Sequence, residues 1–311
     1  MRCLLVGTGY MGTEYAKGLV SHGIEFDVVG RSTKSIKAFE NQVPIKVSEE
    51  SLDTLSNLSS FEAALVCVPE NQAPTVVETL IRGAVPRILV EKPGALLSSQ
   101  LGKLASMAED SGCELKVAFN RRFFRSVQTV RQALSDGVAE VWCLADITER
   151  AQLISASPQP DEVKARWAVA NSIHIWDLLQ YLVGEITVTK AQRSGQLNWH
   201  PTGSRFTFEL ESEGGTTGLA YADWSTPGRW TIELRTKRET WKLCPIETAM
   251  CFGHQSFEPL QVVAEPETDI KAGVHGMLEN FLFERGSGLP QAAETTRLIA
   301  TIEKAYGYVP L

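Results

Sequence analysis

Short, mostly aliphatic runs recur through the first 120 residues, at 3–6, 26–29, 45–47, 63–68, 88–90 and 115–119. Runs of this length and uniformity predict parallel strands covered by helices on both faces. Between them, helices are predicted near 11–21, 34–41, 74–82 and 98–109. Ser98 or Ser99 is a candidate cap for the last of these, and Gly23 stands just beyond the first. Strand, helix and strand in regular succession predict an α/β, doubly wound parallel sheet of the Rossmann type.

After Asn120 the rhythm changes. A helix is predicted near 126–135, a strand near 140–147 and a helix at 174–183, which stops before Gly184. Between them, Pro158 and Pro160 predict that 155–161 is loop. Strands then dominate. Phe206, Phe208 and Leu210 alternate with Arg205, Thr207, Glu209 and Glu211, and Trp230, Ile232 and Leu234 alternate with Thr231, Glu233 and Arg235. A period of two marks half-buried antiparallel strands, and Gly214-Gly215 is a candidate hairpin turn. Helices near 277–284 and 292–306 close the chain. The pattern predicts two domains, an α/β domain over 1–120 and an α+β domain over 121–311.

Composition narrows the partners. The chain has 311 residues, 43% hydrophobic and 22% charged, as in ordinary globular proteins, and a formal net charge of −7. That balance gives no electrostatic footprint for nucleic acid or an anionic membrane, and no apolar run approaches the roughly 20 residues of a membrane span. The six cysteines (Cys3, Cys67, Cys113, Cys143, Cys244, Cys251) are scattered, without metal-ligand spacing among the five histidines. A reducing, cytoplasmic setting and no bound metal are expected.

The chemistry begins at Gly7-Thr8-Gly9-Tyr10-Met11-Gly12, a GxGxxG between a first strand and a helix. The first glycine permits a tight turn, the second a close approach of backbone to a pyrophosphate, and the third close helix–strand packing. The helix N-terminus adds free N–H groups and a positive dipole end. About 20 residues on, where an NAD site usually has a carboxylate, the chain reads Gly30-Arg31-Ser32-Thr33-Lys34. Cations and hydroxyls there favour the 2′-phosphate of NADP, with NAD as the alternative. Glu91-Lys92-Pro93 directly follows another strand, at the edge where doubly wound sheets bind ligands.

With these motifs the sequence resembles the Gfo/Idh/MocA family of glucose–fructose oxidoreductases and inositol dehydrogenases. The resemblance rests on Gly7–Gly12, on Val66-Cys67-Val68-Pro69, on Glu91-Lys92-Pro93 and on Asn120-Arg121-Arg122-Phe123. It extends to Ser172-Ile173-His174-Ile175-Trp176-Asp177 and to Gly288-Leu289-Pro290. It implies an open, mainly antiparallel sheet in the second domain, one face of which serves a homo-oligomer. It also implies hydride transfer between a nicotinamide coenzyme and an alcohol or ketone on a small sugar, polyol or nucleotide-sugar. In that role Lys92 contacts the reacting oxygen and His174 exchanges the proton, a task suited to a side chain with an unperturbed pKa of about 6.5. Asp177 either orients the imidazole or caps local structure. Val68, Pro69 and Glu91 are candidate cofactor contacts beside the glycines, Arg31 and Ser32. Asn120, Arg122, Trp167 and Asn171 are candidate substrate contacts. Trp167 is read either as a platform for a sugar ring or as core, and Arg121, Arg122 and Arg125 either as ligand contacts or as a solvated face. His22, His200, His254 and His275 are read as structural.

One departure bears on function. Many family members carry an aspartate four residues before the histidine, and this chain has Ala170 there. Two other readings therefore stand beside the enzyme: a cofactor-binding sensor that no longer catalyses, and an oxidoreductase for a non-sugar substrate.

Overall fold

The computed structural model describes residues 1–48, 51–55, 57–135 and 140–308. It divides into two compact units, the first of residues 1–120 and 268–297, the second of 121–267 and 298–311.

The first unit is built on β1 (Arg2–Val6), α1 (Tyr10–Ser21), β2 (Glu25–Val29), α2 (Thr33–Glu40), β3 (Ala63–Val66), α3 (Ala73–Arg82), β4 (Arg87–Glu91), α4 (Ser98–Ser111) and β5 (Glu114–Ala118). Its sheet has five strands in the order β2-β1-β3-β4-β5, and every pairing is parallel. Leu4, Leu5, Ala64, Leu65, Ile88, Leu89 and Val117 are fully buried, which is what helices on both faces require of parallel strands. The run at 45–47 does not become a sixth strand. Only three residues long and entered from Pro44, it is held by single bonds, Ser48 N–H to Val28 O (2.7 Å) and Val47 N–H to the Glu40 carboxylate (3.1 Å). Neither Ser98 nor Ser99 caps α4. Its N-cap is Leu97, without a side-chain bond, and both serines lie inside the helix.

The second unit contains α5 (Arg125–Ser135), β6 (Trp142–Asp146), α6 (Ala151–Ala156), α7 (Asp161–Ala165), a π-helical turn at Ala168–Ser172 and α8 (Ile173–Val183). Then come β7 (Ile186–Ser194), β8 (Arg205–Ser212), β9 (Thr217–Asp223), β10 (Thr231–Arg235), β11 (Glu239–Leu243), β12 (Thr248–Gly253) and β13 (Gln261–Ala264). The eight strands form one open sheet, ordered β13-β12-β11-β10-β6-β9-β8-β7 and antiparallel except where β6 meets β9. In β8 the alternation holds residue by residue: Phe206, Phe208 and Leu210 are buried, and Arg205, Thr207 and Glu209 exposed. The inner aromatics meet α8 at Trp176 and the chain end at Tyr306 (Trp176–Phe208 centroids 5.2 Å, Phe206–Tyr306 4.6 Å). The prolines at 158 and 160 break the chain over fewer residues than 155–161. Residues 155 and 156 belong to α6 and Asp161 starts α7.

The segment 268–297, expected in the second domain, groups instead with residues 1–120. Its helix α9 (Val274–Phe283) packs on α1, where a Cβ on Gly18 would stand 2.5 Å from Leu278 Cδ1. Phe281 lies under the Arg87 guanidinium, and Val117 N–H donates to Pro290 O (3.1 Å). These apolar and backbone contacts along β4, β5 and α1 draw the segment to the first unit. The last helix, α10 (Ala292–Tyr306), is divided between the two after Arg297.

Candidate active site

All five strands of the first unit run the same way, so the residues that follow them gather at one sheet edge. Gly7, Gly30, Cys67, Lys92 and Asn120 lie there. The order reverses between β1 and β3, which opens the crevice where doubly wound sheets take ligands.

The glycine turn has the shape a dinucleotide needs. A Cβ on Gly7 would stand 2.3 Å from Cys67 O, and one on Gly12 2.0 Å from Gly7 O. These two glycines let strand, turn and helix pack. At Gly9 a Cβ would meet nothing within 4 Å, so the open side of the turn is there, at the N-cap of α1. No side chain caps this helix end and no acidic residue occupies its first turn, leaving its N–H groups and dipole to an anion. The residues present fit a pyrophosphate-bearing coenzyme. Thr8 is buried and bonds the Ser35 hydroxyl (2.9 Å), joining the turn to α2. Val68 is half-buried, and Pro69 is exposed at the approach to α3.

Arg31 and Ser32 are exposed where β2 gives way to α2, and Ser32 caps that helix by accepting from Ser35 N–H. The one carboxylate of β2's inner stretch, Asp27, is paired with Arg2 (2.5 Å). Glu91 turns inward, where its carboxylate accepts from the Tyr15 hydroxyl at 2.5 Å. Burial raises the pKa of Glu91, against the opposing pull of Lys92 and of the Tyr15 bond. Lys92, half-buried, leads through a cis bond to Pro93. Asn120 gives its amide to Ala272 O (2.9 Å), which holds the returning segment. Lys271, which the motifs do not mark, belongs to that segment. Its backbone N–H donates to Glu14 (2.6 Å), and its ammonium lies 3.1 Å from Met11 Sδ and 5.2 Å from the Tyr10 ring centre. A cation thus stands beside the first turn of α1.

In the second unit the candidate side chains collect around the π-helical turn and α8. Arg122 and Asp177 are both buried and joined by a fork, with Nε–Oδ2 at 2.9 Å and Nη2–Oδ1 at 2.6 Å. Arg122 also lies over the Tyr181 ring (4.7 Å). The pair ties the turn after Asn120 to α8. His174 is 5% exposed, with its ring centre 6.2 Å from that of Trp230, and the Arg121 guanidinium lies 4.4 Å over the same indole. Trp230 precedes β10 and is half-buried, so its place in the 230–234 alternation did not make it core.

Trp230, Trp167, Thr148, Glu149, Arg150 and Arg229 line a cavity of about 360 Å³. Sequence reasoning left Glu149 out. It follows β6, is 8% exposed, and accepts from Asn171 Nδ2 (3.0 Å) and Ser172 Oγ (2.8 Å), both on Oε1. Desolvation raises its pKa, offset in part by these donors, by Trp167 and by the charge of Arg121. The only sequence signal for it is a carboxylate just past an apolar strand, 22 positions before Asn171. Ala170 is fully packed and brings no polar group. Among the described residues no cluster of His, Cys, Asp and Glu could hold a metal, and no helix is long and apolar enough to cross a membrane.

Comparison with known proteins agrees with this geometry. Residues 1–119 match the model of the Gfo/Idh/MocA oxidoreductase family, NAD-binding Rossmann fold. An inositol 2-dehydrogenase from Rhizobium meliloti is 28% identical over 189 residues, 60% of this chain and 56% of that protein. The chain thus spans just over half the length of this relative. An oxidoreductase from Agrobacterium radiobacter, solved with NAD+, L-tartaric acid and magnesium, superposes with a TM-score of 0.80 at 17% identity, covering 99% of this chain and 95% of that one. A UDP-N-acetylglucosamine 3-dehydrogenase from Acidithiobacillus ferrooxidans gives 0.77 at 16% identity over 99% and 97%. At such identities the likeness concerns the fold, and it covers both units. The family match thus lies in residues 1–119, with the NAD-binding Rossmann fold of the Gfo/Idh/MocA oxidoreductases.

Proposed function

We propose that the protein is an NADP-dependent oxidoreductase that interconverts an alcohol and a ketone on a sugar-like or polyol-like substrate. The carrying observation is the glycine turn with its open face at Gly9, followed at the same sheet edge by Lys92. The nicotinamide coenzyme, when bound, supplies or accepts the hydride. Gly7, Gly9 and Gly12 with the N–H groups of α1 hold its pyrophosphate, and the Lys271 ammonium adds a charge there. Arg31 and Ser32 receive the 2′-phosphate. Lys92 donates to the reacting oxygen and stabilises charge that develops on it. His174 takes the hydroxyl proton in oxidation and returns it in reduction. Asp177, committed to Arg122, has the role of holding α8 rather than of exchanging protons. Retention of both Lys92 and His174 favours an enzyme over a sensor, because a pocket used only for binding needs neither.

The decisive variant is Lys92→Ala, assayed on myo-inositol, keto-sugars and UDP-N-acetylglucosamine. Turnover is expected to fall by about 10²- to 10⁴-fold, with NADPH affinity within a few-fold of wild type. Full activity of the variant would end the assignment. The outer face of the eight-stranded sheet, where Leu219 and Tyr221 are 46% and 42% exposed, is the surface we assign to a homo-oligomer. Light scattering on the wild type and on Tyr221→Glu tests it.

A further inference from the structure

Glu149 has no part in the coenzyme site or in the roles proposed for Lys92 and His174, yet it is costly to bury. A carboxylate withdrawn from water loses several kcal/mol of solvation unless charges or donors replace it. Here two neutral donors, Asn171 Nδ2 and Ser172 Oγ, converge on Oε1, and the Trp167 side chain also favours the charged form. Arg121, stacked on Trp230, favours the negative charge through its own positive charge. The carboxylate forms part of the wall of the 360 Å³ cavity beside two indoles. An aromatic wall offers the apolar face of a sugar ring a surface, and a carboxylate oxygen accepts hydrogen bonds from the hydroxyls that ring presents at its edge. The neighbouring π-helical turn places Asn171 and Ser172 side by side on the carboxylate, although residues adjacent in a regular α-helix point about 100° apart.

Resting on the oxidoreductase reading, we propose that Glu149 is a substrate-binding residue. Its carboxylate accepts a hydrogen bond from a ring hydroxyl of a polyol or sugar seated in the cavity lined by Trp167 and Trp230. Asn171 and Ser172 are the positioning residues that hold it. The site therefore selects substrates with a hydroxyl beyond the one that reacts, and rejects their deoxy counterparts.

The test uses the full chain with myo-inositol, D-glucose and UDP-N-acetylglucosamine, and then the monodeoxy derivatives of whichever binds. Binding is read from quenching of tryptophan fluorescence, and turnover is followed in parallel with NADP. In the wild type, removing the recognised hydroxyl is expected to weaken binding by about 10- to 100-fold. Glu149→Gln is expected to weaken the hydroxylated ligand by a similar factor and leave the deoxy derivative unchanged. A merely structural carboxylate would weaken both ligands alike, and that result overturns the proposal, as does no change in either. Should Glu149→Gln fail to fold, Ser172→Ala replaces it. That variant is expected to weaken only the hydroxylated ligand, by about 3-fold, and an equal loss on both again overturns the proposal. Failure of every probe to bind the wild type removes the cavity as a sugar site and the proposal with it. Discriminating binding without hydride transfer ends the oxidoreductase reading and leaves Glu149 standing. Turnover indifferent to Glu149 ends only this inference.

Discussion

At the glycine turn, what faces a ligand is backbone. Gly7 and Gly12 exist to bring main-chain atoms within contact of Cys67 and of each other, Gly9 keeps the opening clear, and the N-terminus of α1 supplies the charge. At the cavity of the second unit, the wall is side chain: Glu149 held by Asn171 and Ser172, and Trp230 under Arg121. A backbone site depends on a few positions that admit only glycine and reads any nucleotide diphosphate alike. A side-chain site can be rebuilt one substitution at a time. Coenzyme binding and substrate choice are thereby open to separate change.

The sharpest way to break this contrast is within the glycines themselves. Gly12→Ala places a methyl group 2.0 Å from Gly7 O, a backbone atom that can yield only if the whole turn shifts. We expect loss of the cooperative fold of the first unit, read by thermal denaturation. Gly9→Ala meets nothing within 4 Å and has an ordinary φ of −77°, so its melting temperature should match the wild type. Its coenzyme affinity should nevertheless fall at least about tenfold, because the methyl group fills the space the pyrophosphate enters. Equal damage from both variants would mean that Gly9 is structural too.

On the side-chain side, Asp177→Asn leaves the Arg122 guanidinium buried beside a neutral partner. The expected cost is about 3–5 kcal/mol of stability, measured by urea denaturation. A loss of activity without a loss of stability would instead return Asp177 to the proton chemistry.

The same contrast decides what the sequence could tell. Backbone constraints act over a few consecutive residues, so Gly7–Gly12, the Glu91-Lys92-Pro93 turn and the alternation in β8 were all legible. Elements that need partners were not. The run at 45–47 looked like a strand but found one bond to β2, and the segment 268–297 was drawn to the first unit by Gly18, Arg87 and Val117, far away in sequence. Likewise Asp177 was read as orienting His174 or as capping local structure, and nothing local marked its fork with Arg122, 55 positions earlier. Glu149 was missed because no local period marks a carboxylate whose donors lie 22 and 23 residues on.

A pH effect follows from His200, read as structural in the sequence and found buried. If Nδ1–H donates to Gly203 O (2.9 Å), Nε2 accepts from the Tyr308 hydroxyl (2.8 Å), and that hydroxyl in turn accepts from Ala168 N–H (3.1 Å) at the π-helical turn. Burial among Trp199, Phe206 and Trp224 lowers its pKa from 6.5 to about 4, against the Gly203 bond. The unfolded chain then binds the proton more readily, so this contribution is complete above about pH 6.5 and is lost as pH falls toward 4. The loss amounts to about 3 kcal/mol. His200→Asn should flatten that part of the stability profile, and an unchanged slope would assign it to other groups.

The smallest expected effect concerns coenzyme choice, a feature of the backbone-built site that rests on a side chain. Arg31 is exposed after β2, the nearby carboxylate Asp27 is already paired with Arg2, and Ser32 keeps a hydroxyl proton to donate while it caps α2. A 2′-phosphate there gains a charge-assisted contact that a 2′-hydroxyl does not. Because the guanidinium is in water, the gain is modest and screened by salt. Arg31→Ala should weaken NADPH by about tenfold, or about 1.4 kcal/mol, and leave NADH unchanged. The difference should shrink as ionic strength rises. A wild type that takes NADH as tightly as NADPH would reverse the assignment at this position and leave that of the glycine turn untouched.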